Sequence, residues 1–458
     1  MSLGQLRPRV ADRARTLPER HGGRVVVIAL ALILALGLGL RVNQALNPIP
    51  AGEVGADAAK YQQLAEQLYT EGRYGDDPLA TDWSPGAVFL YAGVYTVTGG
   101  VNPEAARLVV ALLGVIAVLL TYLLGRRLAG PWAGVIAALF CATYPIYIHN
   151  TARLMSEPLA ITTLIGAVLA FLWAGERRTP WAWALPGVLL GITAFTRPEY
   201  LVFIALFAVL ALVRTRRDGL GWRPGLLSVA ALVVAFAIPL VPWTVRNYVE
   251  LDRFVPVTTG GGKALFTGTY LPGDGIYIDV KRHLIKRFYG LDGLTREQVV
   301  AIDPVKLFNR VADEYPDMDR DAALGRVGRE NLLRYLGESP LGVAGMMLYK
   351  AGFMWQESAD ALKTPPLIAA WQWTLVGLGL IGLALLAVRR RWEALLIGLL
   401  IGGVMLAAAV LLAGTRRNLA LMPLVMALAA TTIVTAVTWG RARLEARRAP
   451  QEPAEVGA

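Results

Sequence analysis

Arg153-Leu154-Met155-Ser156-Glu157-Pro158 stands directly before an apolar run that continues to about residue 175, and Thr196-Arg197-Pro198-Glu199 sits in the same way between runs at 180–196 and 200–213. In both places charge is confined to the edge of a stretch that carries none inside. Helices that cross a membrane have this pattern, because a charged side chain is expensive at bilayer depth and tolerated at the boundary. Working outward, further runs cover roughly 25–40, 107–125, 131–148, 225–245, 364–388, 394–415 and 418–440. A crossing needs about 20 mainly apolar residues, so 200–213 completes one only with its flanks. Of the 458 residues 55% are hydrophobic and 17% charged, more apolar surface than a soluble domain needs. The sequence predicts an all-α polytopic membrane protein with about ten transmembrane helices, juxtamembrane helices and a large outer loop.

The first run has a basic region before it but no Ala-x-Ala-like cleavage site after Leu40, so it reads as a span and not as a signal peptide. The net charge of +11 points to anionic lipid headgroups as partners, and not to nucleic acid, because the arginines cluster at span ends. Cys141 is the only cysteine, which excludes an intramolecular disulfide and a cysteine metal site. His21, His149 and His283 are scattered over different segments, so a zinc site is not expected, and a divalent cation has no support in the sequence.

Arginines also set the expected topology. Arg7, Arg9, Arg13, Arg15, Arg20 and Arg24 place the N-terminus inside, and alternation then puts Arg126-Arg127, Arg177-Arg178, Arg214 to Arg223, Arg389 to Arg391 and Arg441 to Arg448 inside as well. The divisions that follow are a basic tail at 1–23, a membrane bundle at 24–245 with an outer loop at 42–106, an extracytoplasmic region at 246–363, transmembrane helices at 364–440 and a tail at 441–458. Both termini are expected in the cytoplasm, and both tails are expected to be disordered. The apolar pieces 85–101 and 340–355 read as interfacial helices, since a crossing by the second would turn Arg389 to Arg391 outward.

Arg153, Arg197, Arg416 and Arg417 break the charge rule by falling outside, near membrane boundaries. An arginine there either grips a phosphate with its planar fork or snorkels to headgroups and pairs with nearby acids. In the first outer loop Asp57 precedes a helical pattern of Tyr61, Leu64, Ala65, Leu68 and Tyr69. It reads as a helix N-cap, as a general base, or as both. Asp76, Asp77 and Asp82 follow; the adjacent pair fits a cation site or a solvated turn. Glu157 opens an apolar helix, where the dipole favours it and Arg153 offers a partner four residues back; it is also an ionisable group at the top of a membrane bundle. In the second outer loop Gly260-Gly261-Gly262-Lys263 lacks the Gly-x4-Gly-Lys-Ser/Thr spacing of a P-loop, but leaves a glycine turn beside Lys263 that suits a sugar or phosphate. Residues 295–338 read as charged, exposed helix without a catalytic signature.

Together these elements resemble the GT-C superfamily of polytopic glycosyltransferases, and within it the bacterial family 39 group that includes protein O-mannosyltransferase-like and aminoarabinose lipid A transferase-like proteins. The residues that carry the resemblance are Asp57-x3-Tyr61, Leu123-Leu124-Gly125-Arg126-Arg127-Leu128, Ser156-Glu157-Pro158 and Gly191-x4-Thr196-Arg197-Pro198-Glu199. Pro242-Trp243-Thr244-Val245-Arg246-Asn247-Tyr248 and the closing Arg416-Arg417 before Pro423 complete the set. The resemblance implies transfer of a sugar from a polyprenyl-phosphate-linked donor to a lipid, protein or cell-wall glycan acceptor at the outer face. Asp57 and Glu157 would be the catalytic acids, and Arg197, Glu199, Lys263, Arg416 and Arg417 would hold the lipid-phosphate sugar. Many relatives carry an acidic pair in the first loop, whereas Ala58 follows Asp57 here, so the resemblance extends to no metal and to no certain cofactor. Two other readings stand beside this one: a transporter or flippase of lipid-linked glycans, and an inactive scaffold subunit of the same superfamily.

Overall fold

A computed structural model describes residues 19–50, 55–75, 81–219, 221–356 and 366–448. Asp76, Asp77 and most of both tails lie outside the described residues. Among the described residues every regular element is helical, with one isolated bridge between Ile276 and Ala413. Among the described residues seven helices are long and apolar enough to cross a membrane, from Gly23–Leu46 to Thr415–Arg447, and the pair Trp222–Ala237 and Val241–Leu251, bent by 50°, makes an eighth candidate if it is one span. Two shorter apolar helices, Pro131–Thr143 and Pro180–Thr196, account for the remaining runs in the sequence. Pro85–Thr98 and Pro340–Phe353 are helices of 14 residues each and are not among the candidate spans. The last helix continues to Arg448, into the stretch expected to be a disordered tail.

Prolines decide where the short helices stop. Pro145 has no N–H to offer the carbonyl of Cys141 four residues earlier, so Pro131–Thr143 ends there. Arg41, from the first span, supplies the missing donors: its guanidinium gives hydrogen bonds to the carbonyls of Cys141 and Ala142, each at 2.9 Å. A fully buried arginine is thereby satisfied by the carbonyls that a helix break has freed. Pro239 lies in the break of the bent pair and Pro242 in the first turn after it, the usual cause of a kink of this size.

The bundle has a distinct arginine-rich end. Arg127 reaches Glu176 at 2.5 Å and Glu393 at 3.3 Å, and Arg391 reaches Glu393 at 3.1 Å. Arg214 and Arg217 lie over the ring of Trp392 at 5.4 and 5.2 Å. Three of the arginine clusters that the charge rule assigns to one side therefore meet at one end, with Glu176 beside a fourth. At the other end lies a separate helical cap with its own core, built around Phe266, Leu284, Phe308 and Leu324. The Trp243 motif ties this cap to the bundle, since Trp243 Nε1 donates to Val257 O at 2.7 Å and Asn247 Nδ2 to Val255 O at 3.0 Å.

Candidate functional site

Three acids and three arginines from opposite ends of the sequence meet at the cap end of the bundle. Asp57 lies in the first turn of the helix Ala56–Glu71, which begins at Gly55, whose φ is +85°. The N-cap position thus belongs to glycine, and Asp57 stands one residue inside the first turn. It accepts instead from Nη1 of Arg416. The same guanidinium uses Nε to reach Oε1 of Glu157 at 2.5 Å, so Arg416 bridges the two acids.

Glu157 is 2% exposed and opens the helix Glu157–Ala174. The sequence pairs it with Arg153; in the structure its guanidinium partners are Arg416 and Arg197, the latter at 3.2 Å through Nη1. Arg197 reaches it because Pro198 keeps the preceding residue out of the helical region: Arg197 is extended (φ −142°, ψ 100°), and its side chain turns back into the bundle. Its Nε also binds Glu199 Oε1 at 2.8 Å. Each carboxylate is occupied by guanidinium, and three negative charges face three positive ones. The second Glu157 oxygen, Oε2, and Nη1 of Arg417 are buried with no hydrogen-bond partner among the described residues.

The surrounding frame is specific. The turn Thr415–Leu421, which carries both arginines, is fastened by Asn418 Nδ2 donating to Met354 O at 2.7 Å and to Gln356 O at 2.9 Å. Tyr147 OH donates to Leu419 O at 2.5 Å. On the other side Tyr91 OH donates to Met155 O at 2.5 Å, and Tyr61 packs edge-on to Trp83 with ring centroids 5.4 Å apart. Tyr61 also hydrogen-bonds Ser156, and its hydroxyl is held above its ordinary range, chiefly by burial.

Lys263 stands at the border of the cluster. Its ammonium lies over the rings of Tyr277 and Phe308 at 5.5 and 5.2 Å, and burial lowers it from the ordinary lysine range, against the pull of Asp82 and Asp57. Two of the glycines before it have structural uses. Gly260 (φ +89°) starts the helix Gly261–Thr269, and a Cβ on Gly262 would sit 1.7 Å from the Asp321 carbonyl oxygen, so Gly262 serves a close helix contact. The 295–338 stretch is likewise more than exposed surface: Arg320 Nη2 binds Asp82 Oδ2 at 2.8 Å, which joins the cap to the first outer loop. Lys350, buried within the apolar helix Pro340–Phe353, is the functional candidate that sequence reasoning missed. A lone lysine in an apolar stretch was the available signal.

Two clefts lie beside this cluster and not on it. One of about 690 Å³ uses the back of the Asp57 helix, at Ala58, Ala59 and Gln62, together with Arg107. The other, about 680 Å³, lies between Gly261 and Arg329 on the cap. Among the described residues no group of three or more His, Cys, Asp or Glu is placed to hold a metal ion. The acids of the cluster already have guanidinium partners, a donor set that does not suit a cation.

Residues 82–243 match the family model described as dolichyl-phosphate-mannose-protein mannosyltransferase. Among solved structures, the apo oligosaccharyltransferase of Archaeoglobus fulgidus is similar over 94% of this chain and 53% of its own, with 16% identity and a TM-score of 0.54. The same organism's oligosaccharyltransferase AglB, solved with an inhibitory peptide and a dolichol-phosphate, gives 15% identity and a TM-score of 0.53 over 94% of this chain and 52% of that one. The chain therefore spans about half the length of these structures. ArnT from Cupriavidus metallidurans bound to undecaprenyl phosphate gives 16% identity over 93% of this chain and 81% of that one, with a TM-score of 0.37. No curated protein sequence matches. The fold is thus similar to that of these oligosaccharyltransferases, in keeping with the resemblance drawn from the sequence.

Proposed function

We propose that this protein moves a sugar from a polyprenyl-phosphate-linked donor to an acceptor hydroxyl or amine at the extracytoplasmic face. The observation that carries this reading is the double contact of Arg416, which binds Asp57 and Glu157 at once. Residues this far apart in sequence meet because the bundle brings them together, at the end remote from the arginine-rich one. The charge rule assigns the arginine-rich end to the cytoplasm, which puts the cluster outside.

In the proposed reaction the acceptor oxygen attacks the anomeric carbon, and the bond from that carbon to the donor phosphate breaks. The electron pair leaves with the phosphate oxygen, and Asp57 takes the acceptor proton. Fixed guanidiniums of Arg197, Arg416 and Arg417 stabilise the charge that develops on the phosphate, so the leaving group needs no proton. Glu157 and Glu199 hold two of these arginines in place. In the resting site Arg416 occupies an Asp57 oxygen, which is then not free to take the acceptor proton. The arriving phosphate competes for Arg416 and releases Asp57, so the donor binds before the acceptor is activated. Lys263, whose charge feels Asp57 and Asp82, steers the anionic donor in this reading. A transporter would hold its ionisable groups near the bilayer midplane, and the clustering of charge at one end of the bundle favours the transferase.

The test is order of binding. Purified protein in nanodiscs is given a labelled polyprenyl-phosphate monosaccharide and a membrane and cell-wall extract, and initial rates are taken while each is varied. An ordered pattern with donor first supports the reading. Donor turnover that needs no acceptor beyond water, or no turnover with any donor of a panel, would count against it.

A further inference from the structure

Arg41, Tyr144, Tyr147, Gln372 and Asn418 are all buried in the bundle. Polar side chains are costly there, and apolar packing of similar volume would serve stability as well or better. What these five share is where their hydrogen bonds lead.

Arg41 belongs to the helix Glu19–Leu46 and donates to Gly37 O at 3.1 Å and to Cys141 O and Ala142 O at 2.9 Å. Among the described residues no carboxylate acts on it. Room for the guanidinium is kept by Gly114, where a Cβ would lie 2.4 Å from Arg41 Nε. The carbonyls it caps belong to the helix end that Pro145 breaks, and the chain turns at Tyr144 (φ −67°, ψ 114°) into the short helix Pro145–Asn150. Arg41 therefore holds the point from which this short helix departs. Tyr144 and Tyr147 stand edge-on with ring centroids 4.8 Å apart, and both hydroxyls reach the far end of the sequence. Tyr147 OH donates to Leu419 O at 2.5 Å. Tyr144 OH bonds Oε1 of Gln372, whose Nε2 donates to Trp355 O at 3.2 Å. Asn418 grips the neighbouring carbonyls of Met354 and Gln356. The path ends on the turn Thr415–Leu421, which carries Arg416 and Arg417.

We propose that Arg41 and Tyr147 are positioning residues for sugar transfer. Arg41 fixes the broken helix end, and Tyr147 carries that placement to the turn that aims Arg416 at Asp57 and Glu157. This rests on the function proposed above, which makes Arg416 and Arg417 the groups that stabilise charge on the leaving phosphate. Neither Arg41 nor Tyr147 touches the reacting atoms, and no proton passes through them. Their effect is geometric: misplacing a group by about 1 Å can cost about 100-fold in rate.

The experiment is a double-mutant cycle on transfer from a labelled polyprenyl-phosphate monosaccharide in nanodiscs, with rates expressed per folded protein. Tyr147→Phe removes one hydroxyl, keeps the ring, and is expected to lower the rate roughly 10- to 100-fold. In an Arg416→Lys background, where the aim of the guanidinium is already lost, the same change is expected to cost about threefold or less. A residue that merely supports the fold would lower the rate by the same factor in both backgrounds, and that result overturns the inference. So does a Tyr147→Phe protein that transfers at the wild-type rate. Arg41→Gln is expected to lower the rate as well, and its loss should not multiply with that of Tyr147→Phe, because both act through one segment. Full multiplication removes Arg41 from the path, and this part of the inference fails. The cycle on Tyr147 stands even if the Arg41 variant folds poorly. Each of these results leaves the proposed function intact, whereas no transfer by wild type with any donor overturns both.

Discussion

Glu157→Gln keeps the shape of the side chain and removes its charge in the most enclosed part of the cluster. Oε1 receives Arg416 at 2.5 Å and Arg197 at 3.2 Å, and the side chain is 2% exposed. Glutamine retains one acceptor oxygen, but its NH2 must point toward the Oε2 position, where no partner stands. Two charge-assisted hydrogen bonds fall to ordinary ones, and two buried guanidiniums lose a shared counter-ion. Breaking a buried ion pair from one side costs about 3–5 kcal/mol. Because glutamine still accepts, the expected loss is at the low end, about 3 kcal/mol. Equilibrium unfolding in mixed micelles of dodecyl maltoside and SDS would measure it, beside Arg416→Gln and the double variant. Removing both partners leaves no uncompensated charge in that pair, so the double variant should recover a coupling energy of about 1–2 kcal/mol. If the two single losses simply add, to within about 0.5 kcal/mol, the bridging role of Arg416 is refuted.

Asp57 is 44% exposed on the same arginine, so Asp57→Asn should cost less than about 1 kcal/mol of stability. Sugar transfer should nevertheless fall by about 10²–10⁴ if this carboxylate is the base; the two measurements on one sample separate the effects. Lys350 has a lowered folded value of about 7, so between that pH and about 10 the unfolded chain binds the extra proton and wild-type stability rises with pH. Lys350→Met should lack this rise and be more stable than wild type at neutral pH by about 2–3 kcal/mol, with the gap closing toward pH 10; parallel profiles would contradict it. Asp82→Asn removes the tie to Arg320 at 2.8 Å, and amide exchange in Gly261–Thr269 and Arg320–Glu338 should quicken roughly 5- to 30-fold. Exchange unchanged there would mean that other contacts hold the cap.

The helices were legible because a bilayer imposes one strong rule, that charge stays out of the span, and this chain obeys it with few exceptions. Those exceptions at Arg197, Arg416 and Arg417 converge in the structure, as does Asp57 at the head of its helix. Partnership within the cluster was harder to read. Arg153 is the local candidate for Glu157, yet Arg416 lies 259 positions away and wins because the turn Thr415–Leu421 is packed against the head of that helix. Spacing along the chain carries no trace of such a contact. The same holds for Asp82 and Arg320, 238 positions apart. Gly262 packs in a close helix contact, a use that the sequence does not distinguish from a glycine kept for a ligand. Lys350 was overlooked because an apolar helix with one lysine looks interfacial until its burial is known.

Single-turnover donor consumption tests the central claim most directly. Purified protein in nanodiscs is loaded with a labelled polyprenyl-phosphate sugar, acceptor extract is added, and both sugar transfer and free carrier phosphate are followed. The account predicts that the two appear together and in equal amount, and that Asp57→Asn abolishes both while donor binding persists. Donor that binds and is never consumed, across the whole donor panel and every acceptor fraction, would contradict it and return the carrier and scaffold readings to the front.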